Sequence, residues 1–364
     1  MNKVKFFNSL VISFTLLALP SFSSSAFGAD EVEEVVAVGS RREARSVGDS
    51  PAPVDIITGA DFVNQGAMDL PDMIRTLVPS FNVNTQPISD AATLIRPANL
   101  RGLPPDNMLV LVNGKRRHRG AVISFLGSGI SDGAQGPDIS AIPSIALKQL
   151  EVLRDGASAQ YGSDAIAGIM NFVLRDDSEG TQLEIRSGEY KEGDGAAWRI
   201  AANVGMPFTS SGFANLSVEL QDSEATSRSV QRADAQGLYD GGNTAIWNYP
   251  EPAQIWGSPE VSDDYKFVVN LGLSLDESKD FYLFGNYGER NVLGGFFFRN
   301  PTNRGGVFST DGGVTRLVGD VAEATAGAAR TCPVVPVPAS GAGSPSDSAL
   351  AAIKANSNCF VFNE

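Results

Sequence analysis

Histidine and cysteine are almost missing from this chain: one histidine, His118, and two cysteines, Cys332 and Cys359, among 364 residues. Two thiols and one distant imidazole are too few for a tetrahedral zinc site, so no metal is expected. The lone histidine has no nucleophile identifiable beside it. Gly156-Ala157-Ser158-Ala159-Gln160 also departs from the Gly-x-Ser-x-Gly elbow of serine hydrolases, so the chain does not read as an enzyme. Paired carboxylates are abundant, and residue counting alone leaves a glycosidase open. Positive charge is scarce as well: 28 Lys and Arg stand against 42 Asp and Glu, a formal net charge of −14. Nucleic-acid binding wants a basic face, and the only basic run is Lys115-Arg116-Arg117-His118-Arg119. Long apolar runs are lacking too. Leu10 to Leu19 is about half of the roughly 20 residues that a membrane-spanning helix needs. With Lys3 and Lys5 before it and small residues from Ala26 to Ala29 after it, residues 1–28 read as a secretory signal peptide. Its removal takes away two lysines and no acid, leaving the mature chain near −14 − 2 = −16. Export permits a disulfide between Cys332 and Cys359, which bracket a Pro-, Gly- and Ser-rich stretch.

What the chain does have is a pattern in Ile142 to Arg175. Gln149-Leu150-Glu151-Val152-Leu153 alternates polar and apolar, the period of a half-buried strand. Ile169 to Leu174 is a second, more apolar run. Between them Gly156, Gly162 and Gly168 fall every six residues among small side chains. By spacing alone this is a strand–turn–strand that any α/β domain could hold. The residues themselves say more. Glu151-Val152-Leu153-Arg154, Ala157-Ser158-Ala159, Tyr161-Gly162-Ser163, Ala165-Ile166-Ala167-Gly168 and Asn171-Phe172 resemble the end of the plug domain of TonB-dependent outer-membrane receptors. Asp155-Gly156 replaces the commoner Gly-Pro, a variant that leans away from siderophore carriers.

The resemblance organises the rest. Asp30 to Arg42 is short, β-branched and acidic at its start, followed by charged residues with no evident partner strand. Such a segment either frays as a terminus or adds itself as an edge strand to another protein. Ahead of a plug it is similar to a Ton box. The resemblance then implies that Glu34, Val35, Val36, Ala37 and Val38 bind a TonB-like periplasmic energising protein, with residues 29–47 as Ton box and linker. Residues 48–176 are expected to form the α+β plug. Val54 to Ile57 reads as a strand, Thr58 to Asp61 opens a short helix, and Asp69 caps a second one with Pro71 in its first turn. Met108 to Val112 is a strand closed by the turn pair Asn113-Gly114. The family pattern has Gly and Asp where Ser80 and Asn113 stand here. Gly120 to Pro143 is a glycine-rich loop that fits no phosphate cradle. Arg116, Arg117, His118, Ser124 and Ser128 make it a candidate ligand-facing or gating element, and a mobile surface loop fits equally.

From 177 to 364 the grammar is that of an antiparallel transmembrane β-barrel. Residues 181–190, 197–206, 213–222, 264–275 and 281–290 are the length a tilted strand needs, and each alternates. Trp198, Phe213, Tyr265, Phe267, Phe281 and Tyr287 read as interface girdles near strand ends. Tight links (207–212, 276–280) alternate with a long one (223–263), as in outer-membrane barrels. A plugged lumen takes about 22 strands, so about five describe a partial barrel, from a fragment or a truncated gene. Leu183 and Ile185 are expected to face lipid, and Gln182, Glu184, Arg186, Asn215, Ser217 and Glu219 the lumen. Arg101 and Arg154 of the plug are expected to meet Glu184 or Glu219. The resemblance implies active transport of a scarce small-molecule ligand, a siderophore, saccharide or similar, across the Gram-negative outer membrane, in contact with its lipid and without a cofactor; the acidic charge argues against nucleic acid. A truncated receptor without transport and an adhesive surface β-protein are the alternatives.

Overall fold

The computed structural model describes residues 54–83, 88, 91–124, 129–154, 157–233, 236, 257–276 and 278–295. It also describes the strand pieces Val35–Val36, Arg45–Ser46, Thr315–Arg316, Val318–Asp320, Val335–Pro336 and Cys359–Val361. The chain divides into two compact units, residues 1–226 with 258–293, and residues 227–257 with 294–364. In the second, Thr315–Arg316 pairs antiparallel with Val335–Pro336, and Val318–Asp320 with Cys359–Val361.

The first unit begins its regular structure at β1 (Val54–Thr58). Thr58 ends that strand and caps α1 (Gly59–Val63) through a reciprocal box. The Asp61 amide donates to Thr58 Oγ1, and the Thr58 amide to Asp61 Oδ2 at 2.8 Å. Helix α2 (Leu70–Leu77) starts as expected, with the Asp72 amide donating to the Asp69 carboxylate at 3.0 Å and Pro71 in the first turn. Then come β2 (Phe81–Val83), α3 (Ala91–Ile95), β3 (Ala98–Leu100), β4 (Met108–Val112), β5 (Lys115–Arg116), β6 (Leu147–Leu153), α4 (Ser158–Tyr161) and β7 (Gly168–Leu174). The main sheet has the order β1-β6-β7-β4-β5, and β4 lies parallel to β7, with Met108 opposite Gly168. Phe62, Leu70, Met73, Ile74, Leu100, Leu150, Met170 and Phe172 fill the space between helices and sheet.

Two local expectations are corrected. Strand β6 is not half-buried, for every residue except Lys148 is buried. Its polar members are satisfied inside: Gln149 Nε2 and Asn171 Nδ2 each donate to Glu151, both at 3.0 Å. The glycine spacing hides a short helix rather than a plain turn, and it matters most at Gly168. There φ is +142°, and a Cβ would sit 2.4 Å from the Leu153 carbonyl oxygen.

The second sheet is a meander of β8 (Thr181–Gly188), β9 (Ala197–Pro207), β10 (Gly212–Ser223), β11 (Glu260–Asp276) and β12 (Lys279–Leu293), each antiparallel to the next. Strands β11 and β12 run to 17 and 15 residues, because pairing continues past a bulge between Ser262 and Tyr265. Phe267 and Tyr287, expected near strand ends, therefore face each other in mid-strand. Leu183, Ile185, Val218 and Leu220 are exposed, while Asn215, Ser217, Glu219 and Gln221 are buried. The link from the first sheet and the short turns 208–211 and 277–278 share one end. Gly188, Ala197, Ser223 and Glu260, at the opposite ends of their strands, lie at the other.

Candidate functional site

The inner face of the meander packs on the α/β domain, and its charges are arranged in rows. One cross-strand row runs Glu184, Ala201, Glu219, Lys266; the next runs Arg186, Arg199, Gln221, Asp264. Ala201 is small and fully buried, which opens a gap between the two glutamates. Arg199, itself fully buried, uses that gap diagonally: its guanidinium donates to Glu184 at 2.9 Å and to Glu219 at 2.7 Å. Lys266 Nζ donates to the other Glu219 oxygen at 2.6 Å, and Arg290 holds Asp264 at 2.8 Å. Arg186 is paired with Glu184, which offsets its position directly opposite Arg199.

Contacts from this face to the α/β domain are of another kind. Arg199 Nη2 donates to the Ser144 hydroxyl at 2.6 Å. Arg186 donates to the carbonyls of Val63 at 2.5 Å, Ala67 at 3.3 Å and Gln65. Asn270 and Asn215 donate to the carbonyls of Arg175 and Asp177 at 2.9 and 2.5 Å. Asn113, with φ at +47°, uses both ends of its amide, accepting from the Leu174 amide at 2.9 Å and donating to Asn270 Oδ1 at 3.2 Å. An aspartate there would lack the second contact, which gives the departure at Asn113 a physical reason. Among the described residues no ion pair crosses this interface.

Arg101 and Arg154 therefore do not meet Glu184 or Glu219, a correction to the expected pairing. Arg101 donates to the Arg154 carbonyl at 2.7 Å, and Arg154 pairs with Asp55, all within the α/β domain. The glutamates take their cations from their own sheet. Arg199 carried a signal in the sequence, since it alternates with Ile200 on the face shared by Asn203; its central role did not follow from alternation.

At the end away from the short turns lies a cavity of about 520 Å³. The α/β domain contributes Gly66 to Asp69, Asp72, Arg75, Thr93 and Arg96; the sheet contributes Glu189, Tyr190, Gln221, Glu224, Thr226, Ser258 and Arg290 among others. Arg96 bridges Asp69 and Asp72, the latter at 3.1 Å. The two carboxyls are driven apart. Burial and the adjacent Asp69 charge push Asp72 up to about 6, against Arg96 and Arg75. Burial also works against Asp69, but the charges of Arg96 and Arg290 and bonds from Asp72 outweigh it and hold Asp69 at about 2. A second cavity, about 330 Å³, is lined by Arg116, Arg117, His118, Arg119, Asp106 and Asp164. Arg116 pairs with Asp164, Arg119 approaches Asp106 at 3.5 Å, and Arg117 donates to Asn286 at 2.6 Å. Ser124 is buried, its backbone tied to Gly133 and Ala134, so it is not the ligand-facing side chain expected. Ser128 falls outside the described residues.

Residues 46–169 match the family model described as TonB-dependent Receptor Plug Domain. Residues 46–169 are a TonB-dependent receptor plug domain. The meander is the first part of its β-barrel wall. Relatives include the iron-regulated outer membrane virulence protein of Vibrio cholerae, 29% identical over 176 residues, 48% of this chain and 25% of that protein. The vitamin B12 transporter BtuB of Photobacterium profundum is 24% identical over 219 residues, 60% and 32% of the two chains. A solved ferric enterobactin receptor mutant of Pseudomonas aeruginosa, in complex with enterobactin, is 20% identical with a TM-score of 0.49, covering 66% of this chain and 33% of that one. The chain thus spans about a quarter to a third of these relatives.

Of the expected Ton box, Val35 and Val36 pair antiparallel with Ser46 and Arg45, so this segment has a partner strand that the sequence did not suggest. Unpaired strand groups seek one wherever the chain can fold back. Glu34, Ala37 and Val38 lie outside the described residues. Cys359 opens a strand paired with Val318–Asp320; Cys332, and with it the disulfide, lies outside them too.

Proposed function

We propose that this receptor takes up a scarce small solute across the outer membrane, with the Ton box segment Glu34 to Val38 coupling uptake to a TonB-like protein. The observation that carries this reading is the cavity between plug and wall, at the end away from the wall's short turns. Its volume of about 520 Å³ is in the usual range for a small-molecule site. Long loops of outer-membrane barrels face the exterior, so the cavity opens where a solute would arrive. The short turns and the plug's link to β8 lie at the opposite, periplasmic end.

The coupling is tested without knowing the ligand. A photo-crosslinking residue at Val36 in the receptor, expressed in the outer membrane, is expected to form an adduct with TonB. Val35→Pro removes a strand donor and is expected to abolish that adduct while the receptor remains in the membrane. Absence of any adduct from the correctly inserted receptor would overturn the coupling.

A further inference from the structure

We infer that the outer cavity is built for a neutral, polyhydroxylated ligand of the saccharide class rather than for a polyanionic metal chelate. The inference rests on the cavity being the solute site, and it concerns what that site can hold.

The first observation is the state of the cations. All three arginines that line the cavity already hold carboxylates: Arg75 with Asp72 at 3.4 Å, Arg96 with Asp69 and Asp72, and Arg290 with Asp264. The positive charge of the lining is thus already matched by carboxylates before any ligand arrives. The second observation is an excess of acceptors. Gln221 lines the cavity, is only 5% exposed, and its Oε1 has no hydrogen-bond partner. A buried carbonyl of this kind is costly unless something donates to it. Glu189 and Glu224, also in the lining, are exposed and make no side-chain hydrogen bond or ion pair among the described residues.

These groups ask for donors. An oxygen-rich anion would bring further acceptors to them, and like charge to the two glutamates. Hydroxyl groups donate to carbonyl and carboxylate oxygens without adding charge. The third observation is the ring of Tyr190, 57% exposed in the lining. Its loop is closed by the Tyr190 amide donating to the Asp194 carbonyl at 3.0 Å. Gly195 makes room for the ring, since a Cβ there would come within 2.6 Å of it. A sugar presents both faces that this arrangement meets: C–H surface for the aromatic body and hydroxyls for the acceptors.

The test uses the chain extracted from outer membranes into micelles, with a printed array of neutral oligosaccharides and, separately, a ferric tris-catecholate. At least one neutral oligosaccharide is expected to bind, and Gln221→Met to weaken it by about tenfold or more. Glu189→Ala with Glu224→Ala, at exposed positions, serves if the Gln221 variant fails to fold, and is expected to weaken the same oligosaccharide. Binding of the ferric chelate alone would overturn the ligand class while leaving the cavity as the solute site. Oligosaccharide binding that neither variant weakens would overturn the assignment to this cavity. Binding of neither probe, in a receptor that still crosslinks to TonB, would overturn the saccharide class and leave the transport reading intact.

Discussion

Plug and wall bury opposite things. The plug encloses Phe62, Met73, Ile74, Met170 and Phe172 and keeps most charges at its surface. The wall exposes Leu183, Ile185, Val218 and Phe267 and buries Arg199, Glu219, Lys266 and Asp264. The plug follows the ordinary rule of apolar burial, in which each methylene removed from water adds about 0.8 kcal/mol. The wall is organised for a solvent that is itself apolar, so its outward face matches lipid and its inward face carries the polar groups. The same alternation thus means "inside" in one region and "outside" in the other, and only knowledge of the surroundings tells them apart.

The contrast can be broken at either end. The largest effect is expected from Phe172→Ala, which opens a cavity in the plug core and should cost about 3–5 kcal/mol. Hydrogen exchange should then speed up in β4 and β7 and leave β9 to β11 protected; uniform acceleration would mean that the two regions unfold as one. Next comes Val218→Arg, near the middle of the wall's outer face, expected to cost about 2–4 kcal/mol of folding into bilayers. Insertion at wild-type yield and stability would place that face away from lipid. Gly168→Ala should cost on the order of 1–3 kcal/mol through backbone strain and contact with Leu153. A thermal melt within one degree of wild type would show that the plug relaxes around the added methyl.

The smallest effect is a pH dependence at the cavity floor. A free aspartate titrates near about 3.9. Asp72 at about 6 binds its proton more tightly folded than unfolded, so it contributes stability that is lost as pH rises from about 4 to 6. Asp69 at about 2 does the reverse, contributing stability that is lost as pH falls from about 4 to 2. Protection of α2 should therefore peak near pH 4 and decline by on the order of 1–2 kcal/mol towards neutrality. Asp72→Asn should flatten the upper limb, and an unchanged profile in that variant would assign the titration elsewhere.

Much of this architecture was legible because it is local. The cap at Asp69, the turn at Asn113-Gly114 and the alternation around Glu219 each depend on residues a few positions apart. The bulge that lengthens β11 and β12 was not legible, since it depends on a ladder spanning both strands. Nor was the choice of partner for Glu184 and Glu219. Any buried arginine could have served, and what selected Arg199 was the missing bulk of Ala201 between two strands. The burial of Ser124 was hidden for a similar reason, its loop being pinned by Gly133 and Ala134, within a stretch whose glycines read equally as a free loop.

The described wall is close to charge-balanced by its own residues: Glu184 and Glu219 by Arg186, Arg199 and Lys266, Asp264 by Arg290. Its grip on the plug is through carbonyls, a hydroxyl and amides, each of which water can replace one for one. Over this sector, drawing the plug away would uncover charges that are largely paired within the wall, four cations against three carboxylates, with Arg290 still attracting Asp69 of the plug. Resistance to separation would then be mostly short-ranged, set by solvent exchange at single hydrogen bonds more than by attraction between charges. Such a seat holds firmly at contact and lets go within the width of one water layer.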